Sequence, residues 1–180
     1  YVGCDMNASV IGMDKVLAHT LAKDAGVAVP HAVTIYRGDC IEKAIAAEIF
    51  DYPLYVKPAK SGSSIGITKV YCQEDLLNAV KKAFLYDDKV LIEENIIGFE
   101  VGCAVLGNLQ PTVGQIDEIE IGDVFFGYAE KYQTHEATIH LPARIDDKTK
   151  AKIKETSLLL YKVFGCRGLT RVDLFLQPDG

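Results

Sequence analysis

The sequence contains no tryptophan, and its basic side chains are in the minority: 19 lysines and arginines stand against 25 aspartates and glutamates, a formal net charge of -6. A chain of this charge has no general attraction to a nucleic-acid backbone, so any anionic ligand must be held by a local cluster of cations. No apolar run approaches the roughly 20 residues that a membrane span needs. The composition therefore predicts a protein that binds neither nucleic acid nor membrane.

The five cysteines are far apart, and no two of them form a Cys-x-x-Cys pair. An odd number without that spacing argues against a disulfide framework and against a zinc ribbon, and it favours a reducing, cytoplasmic location. The first residues, Tyr1-Val2-Gly3-Cys4, have neither an initiating methionine nor the pattern of a signal peptide. We expect the chain to be an internal piece of a longer protein.

Hydrophobic periodicity and turn residues predict an α+β chain. Apolar residues at steps of three or four predict one amphipathic helix near the start and three more along the chain, over residues 7–25, 39–50, 75–85 and 146–164. Short β-prone runs predict strands over residues 53–59, 65–71, 89–94, 100–106, 112–121 and 168–176. The run over 100–106 is apolar on both faces and is expected to be central in its sheet. Residues 127–142 have the polar composition of a functional loop.

The segment Ser61-Gly62-Ser63-Ser64-Ile65-Gly66 joins two predicted strands. Its glycines let the backbone approach a ligand closely, and its N–H groups and hydroxyls can surround a polyphosphate. The alternative is a plain hairpin turn. Lys57 precedes this loop inside an otherwise apolar run, where a lysine without a partner is rare, so its position favours the phosphate hypothesis. The alternative for Lys57 is a side chain that extends to solvent from the strand end.

Arg171 and Asp173 are two residues apart in a predicted strand, which places both on the face opposite Val172 and Leu174. The carboxylate can bind Mg²⁺, and the guanidinium can meet a phosphoryl or oxyanion charge. The alternative is a structural ion pair on a solvated face.

Three glutamates lie at or after the end of the strand predicted over 89–94: Glu93, Glu94 and Glu100. Carboxylates and backbone groups at a strand end can accept hydrogen bonds from an adenine amino group and a ribose hydroxyl, although bare carboxylates there are more often solvated. The histidines show no spacing with a carboxylate or cysteine that defines a metal site, and we interpret all four as structural or surface residues: His19, His31, His135 and His140.

A set of motifs, read in chain order, resembles the D-alanine:D-alanine ligase family of ATP-grasp enzymes: Met13-Asp14-Lys15, Tyr55-Val56-Lys57-Pro58, Ser61-Gly62-Ser63-Ser64-Ile65-Gly66, Ile92-Glu93-Glu94, Gly98-Phe99-Glu100, Glu130-Lys131-Tyr132 and Gly165-Cys166-Arg167-Gly168-Leu169-Thr170-Arg171-Val172-Asp173. The resemblance covers essentially the whole chain. The stretches over residues 98–107 and 117–120 are similar to the vancomycin-resistance branch, particularly its D-alanine:D-serine ligases. An ordered set of motifs is far more specific than any one of them.

The resemblance implies a role for each matching residue. The residues implied to contact ATP are Lys15 and Lys57 at the phosphates, Ser63 and Ser64 in the phosphate-binding loop, Glu93, Glu94 and Ile96 at the adenine, and Glu100 at the ribose. Glu94 stands where many relatives carry lysine. The residues implied to act in catalysis are Ser63, Lys131 at the transferred phosphoryl group, Tyr132 in the loop that closes over the site, and Arg171 at the oxyanion. Asp173 is implied to bind Mg²⁺.

The implied activity is ATP-dependent ligation of D-alanine to D-serine or a second D-alanine in peptidoglycan precursor synthesis, through a D-alanyl phosphate and with two Mg²⁺ ions in the intact enzyme. Two alternatives stay open: another ATP-grasp carboxylate-amine ligase, and a nucleotide-binding module without catalysis. We favour an amine acceptor over D-lactate because the loop carries Lys131-Tyr132, whereas the depsipeptide-forming relatives have a longer loop with a histidine. Within the amine pair we favour D-serine.

The implied fold is the α+β ATP-grasp fold. Residues 1–29 would be a helix and linker from a preceding domain, residues 30–98 a central nucleotide-binding subdomain, and residues 99–180 a truncated C-terminal subdomain. The intact enzyme is expected to be a cytoplasmic homodimer. Family members bind the first D-alanine largely through an N-terminal domain, and they carry an Asn-Glu-x-Asn run after the position where this chain ends. We therefore expect residues 1–180 on their own to bind nucleotide weakly and to form no dipeptide.

Overall fold

The structure, a computed structural model, describes residues 2–41, 51–120, 138–178 and 180. This part of the chain contains two four-stranded antiparallel sheets, each packed against a helix. The predicted α+β class is confirmed. Among the described helices, none has both the length and the apolar character that crossing a membrane requires.

Two short helices open the chain where the sequence predicts one. Helices α1 (Met6–Met13) and α2 (Lys15–Asp24) are separated by Asp14, whose backbone is extended with φ -97° and ψ 103°. The Asp14 carboxylate accepts hydrogen bonds from the backbone N–H groups two and three residues later, which caps α2. The single helix predicted over residues 7–25 is therefore wrong, because a side chain that binds the neighbouring backbone competes with continuation of the helix.

The first sheet has the strand order β1-β4-β2-β3 and consists of β1 (Ala32–Tyr36), β2 (Leu54–Pro58), β3 (Thr68–Val70) and β4 (Lys89–Glu94). Alternate residues of these strands pack against helix α3 (Gln73–Ala83), as the period of a strand requires. The resulting core contains Ile35, Leu54, Val56, Val70, Leu76, Val80 and Ile92. The other face of the sheet carries polar side chains, among them Lys57 and Glu93.

The second sheet has the strand order β7-β6-β5-β8 and consists of β5 (Phe99–Gly107), β6 (Thr112–Glu120), β7 (Thr138–His140) and β8 (Gly168–Leu176). Strand β5 pairs with both β6 and β8, which confirms its predicted central position. Helix α4 (Asp147–Val163) covers one face of the sheet. Its core contains Val101, Cys103, Ile116, Ala143 and Ile153.

Some predicted elements differ from the structure or lie outside the described residues. The helix predicted over 39–50 falls mostly on residues 42–50, which are outside them, and so does most of the loop predicted over 127–142. Residues 138–140 of that loop form β7 instead, because they pair with the end of β6. The strand predicted over 65–71 begins only at Thr68, since the preceding residues belong to the loop after β2.

Gly98 lies in the link between β4 of the first sheet and β5 of the second. A Cβ atom at this position would be 2.2 Å from the backbone oxygen of Leu176 at the end of β8. A side chain is therefore excluded, and glycine permits the close approach. The division of the chain at residues 98 and 99 stays a prediction, and it falls on this link.

Candidate active site

Lys57 and Glu93 form an ion pair on the open face of the first sheet. The two residues face the same side because Glu93 pairs in register with Tyr55, two residues before Lys57 on β2. The Lys57 ammonium donates to the Glu93 carboxylate. The Glu93 side chain is 1% exposed and that of Lys57 is 23% exposed. The lysine of the apolar strand thus has a buried anionic partner, while its own end remains accessible.

Lys15, the first residue of α2, reaches the same corner of the molecule from another element. Its Nζ donates to the backbone oxygens of Pro58 at 3.2 Å and Ser61 at 2.7 Å. Burial lowers the pKa of Lys15, and the positive charge of Lys57 lowers it further. The structure therefore brings Lys15 and Lys57 together at the start of the loop over residues 61–66, here called the serine loop.

The serine loop between β2 and β3 has an uncommon backbone. Ser63 and Ser64 have φ angles of 48° and 58°, in the left-handed region that residues other than glycine rarely adopt. Gly66 has φ 75°, and a Cβ atom there would be 2.6 Å from the ring of Tyr86. Each non-glycine residue in this region costs on the order of 1 kcal/mol, and such residues cluster at ligand-binding sites. The same backbone also closes an i to i+3 hydrogen bond of 3.0 Å around the two serines, the pattern of a type I′ turn, so it fits both the phosphate-binding interpretation and the plain turn.

Two buried polar atoms beside the lysines have no hydrogen-bond partner within the described residues: Oε1 of Glu93 and Nδ1 of His19. They are 3.9 Å apart. Burial lowers the pKa of His19; the Glu93 carboxylate opposes this shift, and Lys57 and Lys15 add to it. A buried acceptor without a donor costs about 1–3 kcal/mol. The Glu93 oxygen is therefore suited to a donor group on a ligand.

Glu94 points away from this corner. Its carboxylate accepts a hydrogen bond from the backbone N–H of His31 at 2.7 Å, and its own N–H donates to the His31 oxygen at 3.0 Å. Neighbours on a strand face opposite sides of the sheet, so Glu94 holds the segment before β1. Ile96 is half-buried in the link between the sheets, and Glu100 is half-buried near the start of β5.

On the second sheet, Arg171 of β8 lies between two carboxylates. Its Nε is 3.0 Å from Oδ1 of Asp173 on the same strand, and its Nη2 is 3.4 Å from Oδ1 of Asp117 on β6. Gly102 of β5 pairs in register with both aspartates. Because Arg171 and Asp173 are about half exposed, their charges can meet an anion and a cation from solvent.

Comparison with known proteins decides the family. The family described as "D-ala D-ala ligase C-terminus" matches residues 21–180. The chain belongs to this family. Vancomycin B-type resistance protein VanB from Enterococcus faecalis is 46% identical over 185 residues, covering 100% of this chain and 53% of that protein. A D-alanine--D-alanine ligase from Pelodictyon phaeoclathratiforme is 42% identical, covering 98% of this chain and 51% of that protein.

A third relative, a putative D-alanine--D-lactate ligase from Streptomyces coelicolor, is 43% identical, and the match covers 100% of this chain and 52% of that protein. The chain thus spans about half the length of the curated relatives it matches. The crystal structure of the VanG D-Ala:D-Ser ligase from Enterococcus faecalis superposes with a TM-score of 0.90 at 46% identity, covering 99% of this chain and 52% of that one. The fold is the ATP-grasp fold of the D-alanine ligases, which confirms the predicted fold class.

Apart from Glu94, Ile96 and Glu100, described above, the residues that the ligase resemblance singled out divide into three sets. The first sheet and its loop bring together Lys15, Lys57, Ser63, Ser64 and Glu93. The second sheet brings together Arg171 and Asp173. Lys131 and Tyr132 lie outside the described residues.

Sequence reasoning missed two residues that the structure places beside these sets, His19 and Asp117. His19 was interpreted as structural or surface, but it follows Lys15 by four residues, one helical turn along α2, so the spacing alone could have placed it beside the lysine. Asp117 lies in the stretch over 117–120 that carries part of the resemblance. Its proximity to Arg171 depends on the register of β5 with β6 and β8.

Proposed function

We propose that the full-length protein is an ATP-dependent ligase that joins D-alanine to D-serine or to a second D-alanine, in peptidoglycan precursor synthesis of the vancomycin-resistance type. The observation that carries this proposal is the corner where Lys15, Lys57 and the strained serine loop meet beside the unpartnered oxygen of Glu93. Membership of the ligase family supports it. Phosphoryl transfer depends on positioning and charge neutralisation, so an acidic protein needs a local cluster of cations of this kind.

The nucleotide fits this corner chemically. Lys15 and Lys57 bind its phosphates, and the N–H groups and hydroxyls of Ser63 and Ser64 complete the phosphate site. The unpartnered Oε1 of Glu93 accepts a hydrogen bond from the adenine amino group.

The remaining nucleotide contacts of the proposal come from the link between the sheets and the strand after it. Ile96 contacts the adenine ring, and Glu100 binds a ribose hydroxyl. Both side chains are half-buried, so each retains accessible surface for a ligand. Glu94 is also assigned to the adenine site, because it follows Glu93 directly in the chain. Its carboxylate accepts a hydrogen bond from the His31 N–H and is not itself the proposed adenine contact.

Asp173 is the proposed protein ligand for Mg²⁺, with two ions in the intact enzyme. Its half-exposed carboxylate is the oxygen donor that this cation prefers. Within the described residues no group of three or more histidine, cysteine or acidic side chains is arranged to hold a metal ion. Asp173 therefore supplies one ligand of a shell completed by phosphate oxygens, water and groups elsewhere. When bound, Mg²⁺ neutralises charge on the β- and γ-phosphates.

In the proposed reaction the carboxylate of one D-alanine attacks the γ-phosphorus of ATP, ADP leaves, and a D-alanyl phosphate forms. The amine of the second amino acid then attacks the acyl carbon, inorganic phosphate leaves, and a proton is released from the new amide nitrogen. Arg171 holds the oxyanion that develops during this attack. Lys131 neutralises the transferred phosphoryl group, Ser63 orients it, and Tyr132 closes the loop over the site.

Phosphate release by the full-length enzyme tests the proposal. D-alanine with ATP and Mg²⁺ should support turnover, and D-serine in competition with D-alanine and D-lactate near pH 7 should enter the product. Another carboxylate-amine ligase would stay silent with D-alanine, and a module without catalysis would bind ATP without releasing phosphate. A dominant D-lactate product would contradict the amine acceptor.

The proposal also includes a cytoplasmic homodimer as the working form. Light scattering on the full-length enzyme after size-exclusion chromatography measures the mass directly. A mass equal to that of one chain over the working concentration range would contradict the dimer.

A further inference from the structure

Arg171 is shared between two carboxylates of different burial. Asp173 is 51% exposed and Asp117 is 28% exposed, and both approach the same guanidinium. The proposed function gives roles to Arg171 and Asp173, but it leaves Asp117 without one.

The backbone beneath these side chains explains how the arginine reaches Asp117. Arg171 pairs in register with Ala104, whereas Gly102 lies between Asp117 and Asp173. A Cβ atom on Gly102 would be 2.4 Å from Oδ1 of Asp117 and 2.6 Å from Nε and Nη2 of Arg171. The arginine side chain therefore crosses the sheet over Gly102, through space that any other residue would fill.

The proposed roles of Arg171 and Asp173 conflict while the two are paired. A metal ion on the Asp173 carboxylate competes with the guanidinium for the same oxygens and repels its charge. Arg171 then needs a second anion to stay directed across the sheet. We propose that Asp117 is a positioning residue that holds Arg171 over Gly102 when Asp173 binds Mg²⁺, an inference that rests on the proposed function.

Two variants of the full-length enzyme test this role in different ways. Asp117→Asn removes the charge, while Gly102→Ala keeps the charge and blocks the crossing. In both, Arg171 is left with Asp173, so the Kd of Mn²⁺ in the presence of ADP, measured from the EPR signal of the free ion, should rise by about fivefold. The kcat should fall by about tenfold because the guanidinium is misplaced. The Kd of ATP without metal should stay unchanged, since Lys15 and Lys57 are on the other sheet.

Asp147→Asn is the matched control, because the Asp147 side chain is 99% exposed on α4 and pairs with Lys150 of the same helix. It should leave the Mn²⁺ Kd and kcat as in the natural enzyme. If Asp117→Asn weakens Mn²⁺ binding and Gly102→Ala does not, the effect is one of charge, and the positioning role is overturned. The role is also overturned if both variants behave like Asp147→Asn.

Asp173→Asn separates this inference from the proposed function. It should abolish the Mn²⁺ site that Asp117→Asn only weakens. If Asp173→Asn leaves Mn²⁺ binding intact, the proposed metal role of Asp173 fails and the inference falls with it. If Asp173→Asn removes binding while the variants at Asp117 and Gly102 do not affect it, only the inference fails.

Discussion

The open faces of the two sheets each present a cation paired with a carboxylate, but the pairs differ in burial. On the first sheet Glu93 is 1% exposed beneath Lys57, whereas on the second sheet Arg171 and Asp173 are 48% and 51% exposed. Removing one partner of a buried pair leaves an uncompensated charge, while an exposed pair contributes little to stability. Under the proposed function, the first pair therefore contributes both to folding and to ligand binding, whereas the second contributes to ligand binding and chemistry with little effect on stability.

The largest effect is expected for Lys57→Ala in the full-length enzyme, because it leaves the buried Glu93 carboxylate without its cation and removes a proposed phosphate ligand. The free energy of unfolding should fall by about 3 kcal/mol, and kcat/KM should lose about 3 kcal/mol of transition-state stabilisation. Chemical denaturation and phosphate release measure the two quantities separately.

The double variant Lys57→Met with Glu93→Gln is the control for this first prediction. It removes both charges, so it should recover most of the lost stability and none of the activity. An activity loss below about fivefold in Lys57→Ala would contradict the phosphate role. No recovery of stability in the double variant would contradict the electrostatic explanation.

Asp14→Ala should produce the next largest loss of stability. The carboxylate caps α2 and pairs with Lys89, whose side chain is 14% exposed. Burial raises the pKa of Asp14, but the Lys89 ammonium and the capping N–H groups outweigh it, so the net pKa is lowered. We expect a loss of about 2–3 kcal/mol by chemical denaturation. Asp14→Asn keeps the cap acceptor and should lose less; equal losses would show that the cap is not what matters.

Arg171→Ala tests whether the exposed ion pair on the second sheet contributes less to stability than the buried pair on the first sheet. Because the Arg171 side chain is about half exposed, the free energy of unfolding should change by less than about 1 kcal/mol. Phosphate release should nevertheless fall by at least about 100-fold, the size seen when one donor to a developing oxyanion is removed. A loss of stability comparable to that of Lys57→Ala would mean that the exposed pair is structural.

The smallest effect on stability is expected from the protonation of His19. Its lowered pKa means that unfolded protein, with the ordinary value of 6.5, binds the proton more readily than folded protein does. The stability contribution is therefore complete above the ordinary pKa and is lost as the pH falls through it toward the folded pKa. His19→Gln should flatten the stability curve between about pH 5 and 7. Parallel curves for the variant and the natural protein would contradict this assignment.

Strand β8 shows how far local sequence information reaches. Its predicted span over 168–176 is confirmed, and its alternation places Arg171 and Asp173 on the face that the pattern predicts. That alternation is set by strand geometry alone, so a short window of sequence contains all of it. The sequence likewise indicates that Lys57 has a partner, because an ammonium group inside an apolar strand is rarely unpaired.

Contacts between distant residues were not readable in this way. Asp14 pairs with Lys89, a partner that no local window includes. Asp117 meets Arg171 only because β6 and β8 flank β5 in a register that also contains an irregularity between Cys103 and Val105. Such a register is fixed by the packing of the whole sheet, and no local sequence pattern indicates which residues it brings together.

The unpartnered oxygen of Glu93 has a consequence for the choice among nucleotides. Under the proposed function it faces the exocyclic group of the purine, and a carboxylate accepts hydrogen bonds but cannot donate them. Adenine presents an amino group there, whereas guanine and hypoxanthine present an oxygen, which would set two acceptors against each other in a buried space. A site built to receive a donor rejects an analogue that lacks it far more strongly than a site that merely fits the shape. If the proposed function holds, the acidic residue that pairs with Lys57 thus also excludes 6-oxopurines from the pocket.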